Sequence, residues 1–112
     1  MKITLGEYQE LASRTEKPLA FPDRLNHGML GIITEAGELG DAIKKFTIYD
    51  KPLDISNIHE EVGDLFWYIA VICNTCNISM EEAIADNIAK LQKRYPEKYT
   101  NEAALARADK NA

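Results

Sequence analysis

Cysteine is scarce in this sequence of 112 residues, which contains only Cys73 and Cys76, so no disulfide framework is predicted. The longest unbroken apolar run extends over nine residues, from Leu65 to Cys73, about half the length of a membrane span. The start of the sequence also lacks the pattern of a signal peptide. We therefore expect a reduced, cytoplasmic protein that has no membrane partner.

Basic residues are outnumbered, since 13 Lys and Arg against 18 Asp and Glu give a net charge of −5. A nucleic-acid-binding surface usually shows as a basic patch, so we expect no nucleic-acid partner. Anionic substrates are still possible where a metal cation lies between them and the protein. The length is typical of one globular domain, which predicts a single domain over residues 1–112.

The periodic segments of the chain are helical, and the four prolines lie between them. Capping-box patterns begin the first and fourth helices, at Thr4 and Ser79. The predicted helices extend from Thr4 to about Arg14, from about Asp23 to Phe46, from Asp54 or Ser56 to Cys76, from Ser79 to Pro96, and over a short stretch after Asn101. The predicted fold is all-α, an antiparallel four-helix bundle with a short extra C-terminal helix.

Two long helices each have an apolar seam with spacings of three and four. In helix two the seam is Leu25, Met29, Ile32, Ala36, Leu39, Ile43 and Phe46, and in helix three it is Ile58, Val62, Leu65, Ile69, Ile72 and Cys76. Cys76 is therefore expected to be a buried small hydrophobe. A small bundle buries one stripe per helix, so the remaining apolar surface predicts a homodimer or homotetramer.

Two pairs of carboxylates lie on these helices, Glu35 with Glu38 and Glu61 with Asp64. Residues three apart share a helix face, and each acid directly precedes a seam residue, so we expect all four on the shoulder of the packed seam. Side-by-side packing of the two helices would bring them together. Alternatively they are ordinary surface acids, but none has a Lys or Arg three or four residues away.

Carboxylates without nearby His or Cys form a hard oxygen site that suits Mg²⁺, with Mn²⁺ as a substitute. A di-iron site in a bundle needs Glu-x-x-His, and Arg24 and Ser56 stand three residues before the two histidines. Glycines inside the helices, such as Gly37 and Gly63, would let a ligand or a neighbouring helix approach the backbone. Tight helix packing would explain these glycines equally well.

A cationic stripe lies on helix four, where Asn87, Lys90 and Arg94 are spaced three and four apart. Facing an acidic metal site, this stripe would suit a polyphosphate. The alternative is a solvated face on which Asp86 pairs with Lys90. Aromatic residues in a bundle are mostly core, but Tyr68 lies one turn beyond Asp64 and is also a candidate to border the site.

The two acidic pairs, separated by 22 residues, resemble the MazG-like nucleoside triphosphate pyrophosphohydrolases. The segments that carry this resemblance are 27–31 (HGMLG), 35–38 (EAGE), 60–65 (EEVGDL) and 87–96 (NIAKLQKRYP). It covers nearly the whole chain, roughly from Tyr8 to Arg107. The chain departs from the family pattern at Asn57, where the two-domain members have lysine, and at Lys45, where the dCTP enzymes have tryptophan.

The resemblance implies Mg²⁺-dependent hydrolysis of a (deoxy)nucleoside triphosphate to the monophosphate and pyrophosphate, in nucleotide-pool housecleaning. It further implies metal ligation by Glu35, Glu38, Glu61 and Asp64, help from Glu60 in binding the metal or orienting the water, and phosphate contacts from Lys90 and Arg94. Our predicted catalytic residues are therefore Glu60 and Glu61, and Asn87 and Tyr68, from their positions on the helices, join Lys90 and Arg94 as predicted substrate contacts. It does not identify the base. The rival interpretation is a non-catalytic helical oligomerisation module in which the acids are incidental.

Overall fold

The computed structural model describes residues 1–107 and 109–110, and that part of the chain contains helices and no strand. The helices are α1 (Leu5–Ser13), α2 (Phe21–Thr47), α3 (Ile55–Cys76), α4 (Met80–Arg94) and α5 (Asn101–Ala106). The all-α prediction is confirmed, and the helices lie close to their predicted bounds. None of the helices in the described ranges is long and apolar enough to cross a membrane.

Side-chain caps define most of the helix starts. The Thr4 hydroxyl accepts the Glu7 N–H at 3.1 Å while the Glu7 carboxylate accepts the Thr4 N–H at 3.0 Å, so the first capping box is formed. Asp54 caps α3 and Ser79 caps α4 in the usual way, each accepting a backbone N–H three residues later. These local hydrogen bonds explain why the sequence pattern located the helix starts well.

The chain divides into two compact units, residues 1–78 and residues 79–112. In the first unit α2 and α3 form an antiparallel pair, because Gly28 lies beside Val71 and Ile72 at one end and Glu38 acts on Glu61 farther along. The second unit contains α4 and α5.

Polar side chains join α1 and the segment after it to α3. The Gln9 amide donates to Asn74 Oδ1 at 3.0 Å, and the Trp67 indole N–H donates to the Thr15 hydroxyl at 2.9 Å. These two contacts lie at different levels of α3, so they fasten the N-terminal segment along it.

The part of α2 that packs against α3 lies one residue earlier than the predicted seam. Three predicted seam residues are about half exposed, namely Met29, Ile43 and Phe46. The buried residues of α2 are instead Gly28, Gly31 and Ala42. Leu25, Ile32 and Leu39 of the predicted seam are half-buried, so the seam lies at the edge of this contact and not at its centre.

On α3, Val62 is exposed and the preceding residue, Glu61, is only 8% exposed, whereas the other buried residues, Ala70, Val71 and Cys73, lie on either side of the predicted seam positions 69 and 72. The physical reason is close helix approach: the Tyr68 ring occupies the space that a side chain at position 31 would need. Small residues thus form the centre of the contact, and large apolar residues flank it. Of the four acids that were expected on the shoulder of the contact, Glu61 is buried and Glu35 is half-buried, whereas Glu38 and Asp64 stay exposed.

Cys76 also differs from its prediction, because it is exposed while Cys73 is buried. Burial raises the pKa of the Cys73 thiol, as expected for a small buried hydrophobe. Cys73, which lies between the predicted seam residues Ile72 and Cys76, is therefore the cysteine on the inner face of α3.

Candidate metal centre

Three carboxylates converge between α2 and α3. Glu35 and Glu38 stand one turn apart on α2, Glu61 faces them from α3, and one oxygen of each lies within 4.8 Å of the others. Glu61 is buried, Glu35 is half-buried and Glu38 is exposed. We call these three residues the acidic cluster, and its burial is graded from a closed end to an open one.

Two oxygens of the acidic cluster are buried without a hydrogen-bond partner, Oε2 of Glu35 and Oε2 of Glu61. Burying a carboxylate oxygen without a partner is costly, and the cost rises when other carboxylates lie beside it. No Lys, Arg or His among the described residues forms an ion pair with any of the three acids. A bound hard cation would satisfy these oxygens, so the donor set fits Mg²⁺ or Mn²⁺.

Mutual repulsion within the acidic cluster perturbs its protonation. The charge of Glu61 is the main cause that raises the pKa of Glu38. The pKa of Glu61 is raised first by the interaction of its protonated carboxyl with Glu35 and then by burial. Without a cation, simultaneous ionisation of all three carboxylates is therefore unfavourable.

Asp64 is exposed and lies outside the group of three converging oxygens, but its charge adds to the raised pKa of both Glu38 and Glu61. Burial and then the charge of Asp64 raise the pKa of Tyr8, so α1 brings Tyr8 near this fourth acid. Sequence reasoning missed Tyr8, because no local pattern signals a contact between helices far apart in the chain. Glu60 is exposed and also lies outside the cluster.

The glycines near the acids fall into two groups. Positions 37 and 63 have no atom within 4 Å of where a Cβ would lie, so the surface there is open. Gly31 instead accommodates the Tyr68 ring, which also makes T-shaped contacts with His27 at 5.5 Å and Trp67 at 5.0 Å. Tyr68 thus has a packing role, and its contact with substrate stays a prediction.

The cationic stripe lies within the second unit. Asn87 and Lys90 are exposed, and Lys90 forms no ion pair with Asp86 in the described part of the chain. Arg94 is engaged by Asp109, which accepts from its Nε at 2.7 Å and from Nη2 at 3.0 Å.

This pair between Arg94 and Asp109 is partly enclosed, since the Asp109 side chain is only 2% exposed. The hydrogen bond raises the pKa of Arg94 and lowers the pKa of Asp109. The helical spacing that defined the stripe could not show this partner, which lies 15 residues beyond Arg94.

Comparison with known proteins identifies the family. The family model of the MazG nucleotide pyrophosphohydrolase domain matches residues 24–99, more than half of the chain, including both acidic pairs and the cationic stripe. The Gene 37 protein of Mycobacterium phage L5 is 31% identical over 75 residues, covering 62% of this chain and 65% of that protein. The chain thus spans slightly less than two thirds of that relative. No solved structure matches significantly. The chain belongs to the MazG nucleotide pyrophosphohydrolase domain family.

Proposed function

We propose that this protein hydrolyses nucleoside triphosphates between the α and β phosphates, releasing the monophosphate and pyrophosphate. The observation that supports this most strongly is the acidic cluster, because two of its buried oxygens have no hydrogen-bond partner and a bound cation would satisfy them. The family match covers the same residues. A helical module with incidental acids would not need to leave carboxylates buried and unpaired.

The four acids have distinct proposed roles as ligands of Mg²⁺, for which Mn²⁺ can substitute. Glu35 and Glu61 hold the ion from the closed end, and Glu38 and Asp64 complete the open side. When bound, such an ion neutralises triphosphate charge and activates water. All four residues are acceptor-only when ionised, as a hard cation requires.

Water is the nucleophile in this proposal, so no covalent enzyme intermediate is needed. Its oxygen attacks the α-phosphorus, the bond to the bridging oxygen breaks, and pyrophosphate leaves. Glu60, which is exposed and precedes Glu61 in the sequence, and Glu61 itself are proposed to orient this water, and a carboxylate accepts its proton. One domain over residues 1–112 supplies this chemistry.

The cationic stripe is proposed to bind the phosphates. Lys90 is exposed and has no ion-pair partner in the described ranges, so its ammonium is available to an anion. Arg94 must exchange the Asp109 carboxylate for a phosphate oxygen before it can contribute. Asn87 and Tyr68 are the remaining proposed substrate contacts.

We further propose that the enzyme is cytoplasmic, acts on (deoxy)nucleotides in housecleaning, and works as a homodimer or homotetramer.

Pyrophosphate release tests the proposed function directly. Eight common ribo- and deoxyribonucleoside triphosphates are assayed with Mg²⁺, with Mn²⁺ and with excess EDTA. We expect turnover of at least one nucleotide with either metal and none in EDTA, and Glu38→Gln should be inactive. Glu10→Gln, which removes an exposed acid of α1, is the matched control and should retain activity. Undiminished turnover in EDTA, or in Glu38→Gln, contradicts the proposal.

A further inference from the structure

A separate cavity lies at the start of α2, within the unit of residues 1–78. It has a volume of about 340 Å³ and is lined by Lys17, Leu19, Asp23, Asn26, His27 and Leu30. We call it the α2 cavity. It combines two leucine side chains with a carboxylate, an amide, an ammonium and an imidazole, the mixture of apolar surface and polar groups that is typical of small-molecule sites.

The polar groups at the rim of the α2 cavity have no partners within the chain. Across the described ranges, the side chains of Lys17, Asp23 and Asn26 make no hydrogen bond or ion pair, although Lys17 and Asp23 line the same cavity. His27 is held in place by T-shaped contacts with Trp67 and Tyr68. The cavity therefore has one wall fixed by aromatic packing and several polar groups available to a ligand.

The α2 cavity is placed at a nucleotide's length from the acidic cluster. His27 and Glu35 are eight residues apart on α2, which corresponds to about 12 Å at ~1.5 Å per residue. Residues 27, 30, 34 and 38 follow at spacings of three, four and four, and Leu30, Thr34 and Glu38 are exposed, so His27 and Glu38 share one open edge of the helix. A nucleotide whose phosphates lie at the acidic cluster can extend along this edge and reach the cavity with its base.

We propose that the α2 cavity binds the nucleobase and that Asp23 selects bases with an exocyclic amino group, cytosine and adenine, over uracil and thymine. A carboxylate accepts a hydrogen bond from the amino group of cytosine, and an amide such as that of Asn26 pairs with the donor and acceptor of adenine. Uracil and thymine present a carbonyl oxygen instead, which repels the Asp23 carboxylate and offers it no hydrogen bond. This inference rests on the proposed function, because it needs the phosphates at the acidic cluster.

The test compares dCTP, dATP, dUTP and dTTP in the wild-type protein, in Asp23→Asn and in Asp50→Asn. We expect the wild type to favour the amino-bearing bases by about tenfold or more in kcat/KM, the discrimination that a good polar contact with a base gives. Asp23→Asn should bring the dCTP to dUTP ratio close to one, because its amide can donate to the uracil carbonyl. Asp50→Asn removes an exposed charge outside the cavity and should leave the ratio unchanged.

Binding of dCMP and dUMP, measured by calorimetry, separates this inference from the proposed function. Preference for dCMP that is lost in Asp23→Asn supports the base site even if no triphosphate is hydrolysed, in which case only the proposed function fails. Hydrolysis with an unchanged base ratio in Asp23→Asn, or a wild-type preference for uracil, overturns the inference. Since Asp23 is exposed, the variant should fold; if it does not, Asn26→Ala provides the same comparison for dATP against dTTP.

Discussion

At the scale of single residues, Glu61 is where burial and negative charge conflict most. Its Oε2 has no partner, and the neighbouring acids raise its pKa. We expect Glu61→Gln to raise the melting temperature of the metal-free protein, because one repelling charge is removed at nearly constant volume. The same variant should lose at least about 100-fold in activity, since even the outer partners of metal ligands are worth ~10–100-fold.

Melting curves with EDTA and with Mg²⁺ check this prediction, and Glu10→Gln again serves as the control. The wild type should gain stability from Mg²⁺, because a ligand that binds only the folded state stabilises it. Glu61→Gln should gain much less. Unfolding of the metal-free variant would instead show that Glu61 has a structural role.

The raised pKa values of Glu38 and Glu61 also predict how the metal-free protein responds to pH. At pH values between the ordinary glutamate pKa of 4.5 and the raised pKa values, the folded state binds more protons than the unfolded state. Stability should therefore fall as the pH rises through this window. Urea unfolding in EDTA between about pH 5 and about pH 7 measures the slope, starting near the ordinary glutamate pKa. The slope should be shallower in Glu61→Gln. An equal slope in both proteins would contradict the attribution of this pH dependence to Glu38 and Glu61.

At the scale of helices, the contact between α2 and α3 depends on Gly31. A Cβ at this position would meet the Tyr68 ring, whereas positions 37 and 40 on the same helix are open. We expect Gly31→Ala to destabilise the protein by ~1–3 kcal/mol through overpacking. Gly37→Ala and Gly40→Ala should stabilise it by ~0.5–1 kcal/mol, because alanine is the better helix former. Urea unfolding of the three variants gives the comparison, and equal effects would contradict the packing described.

The same contact shows which parts of the helices the sequence could predict. Helix starts were predictable because capping is local: Thr4 and Ser79 bond to the backbone three residues later. The packing register was not, because hydrophobic periodicity follows large apolar residues, while the Tyr68 ring of α3 packs against α2 at Gly31. A glycine gives no apolar signal, so the predicted seam missed the centre of the contact on α2.

On α4, Arg94 and Lys90 are proposed to act on phosphates and not on the base. We expect Arg94→Ala to lower kcat/KM by a similar factor for every nucleotide, about 10–100-fold if one charge-assisted hydrogen bond is lost. Lys90→Ala should behave in the same way. Steady-state kinetics across the nucleotide panel provide the test. An altered base preference at an undiminished best rate would place this stripe in the base site instead.

At the scale of the whole molecule, the candidate site was predictable in kind but not in arrangement. The spacing of Glu35, Glu38 and Glu61, together with the lack of nearby cations, predicted that acids would converge. The spacing could not show that Glu61 would be buried or that Asp64 would lie outside the group of three, because both depend on how two helices approach each other. For the same reason, the pairing of Arg94 with Asp109 could not be foreseen.

The apolar surface of the chain predicts self-association. Along α2, Met29 is 50% exposed and Ile33 is 60% exposed, and they share a helix face one turn apart. Exposed apolar patches of this kind mark interfaces in soluble proteins. We expect a homodimer or homotetramer, measured by light scattering at micromolar concentration. Ile33→Glu should shift it to a smaller species, whereas Lys51→Glu, a charge change at an exposed loop residue, should not. A wild-type mass near the 12.6 kDa of one chain, with full activity, would contradict this prediction.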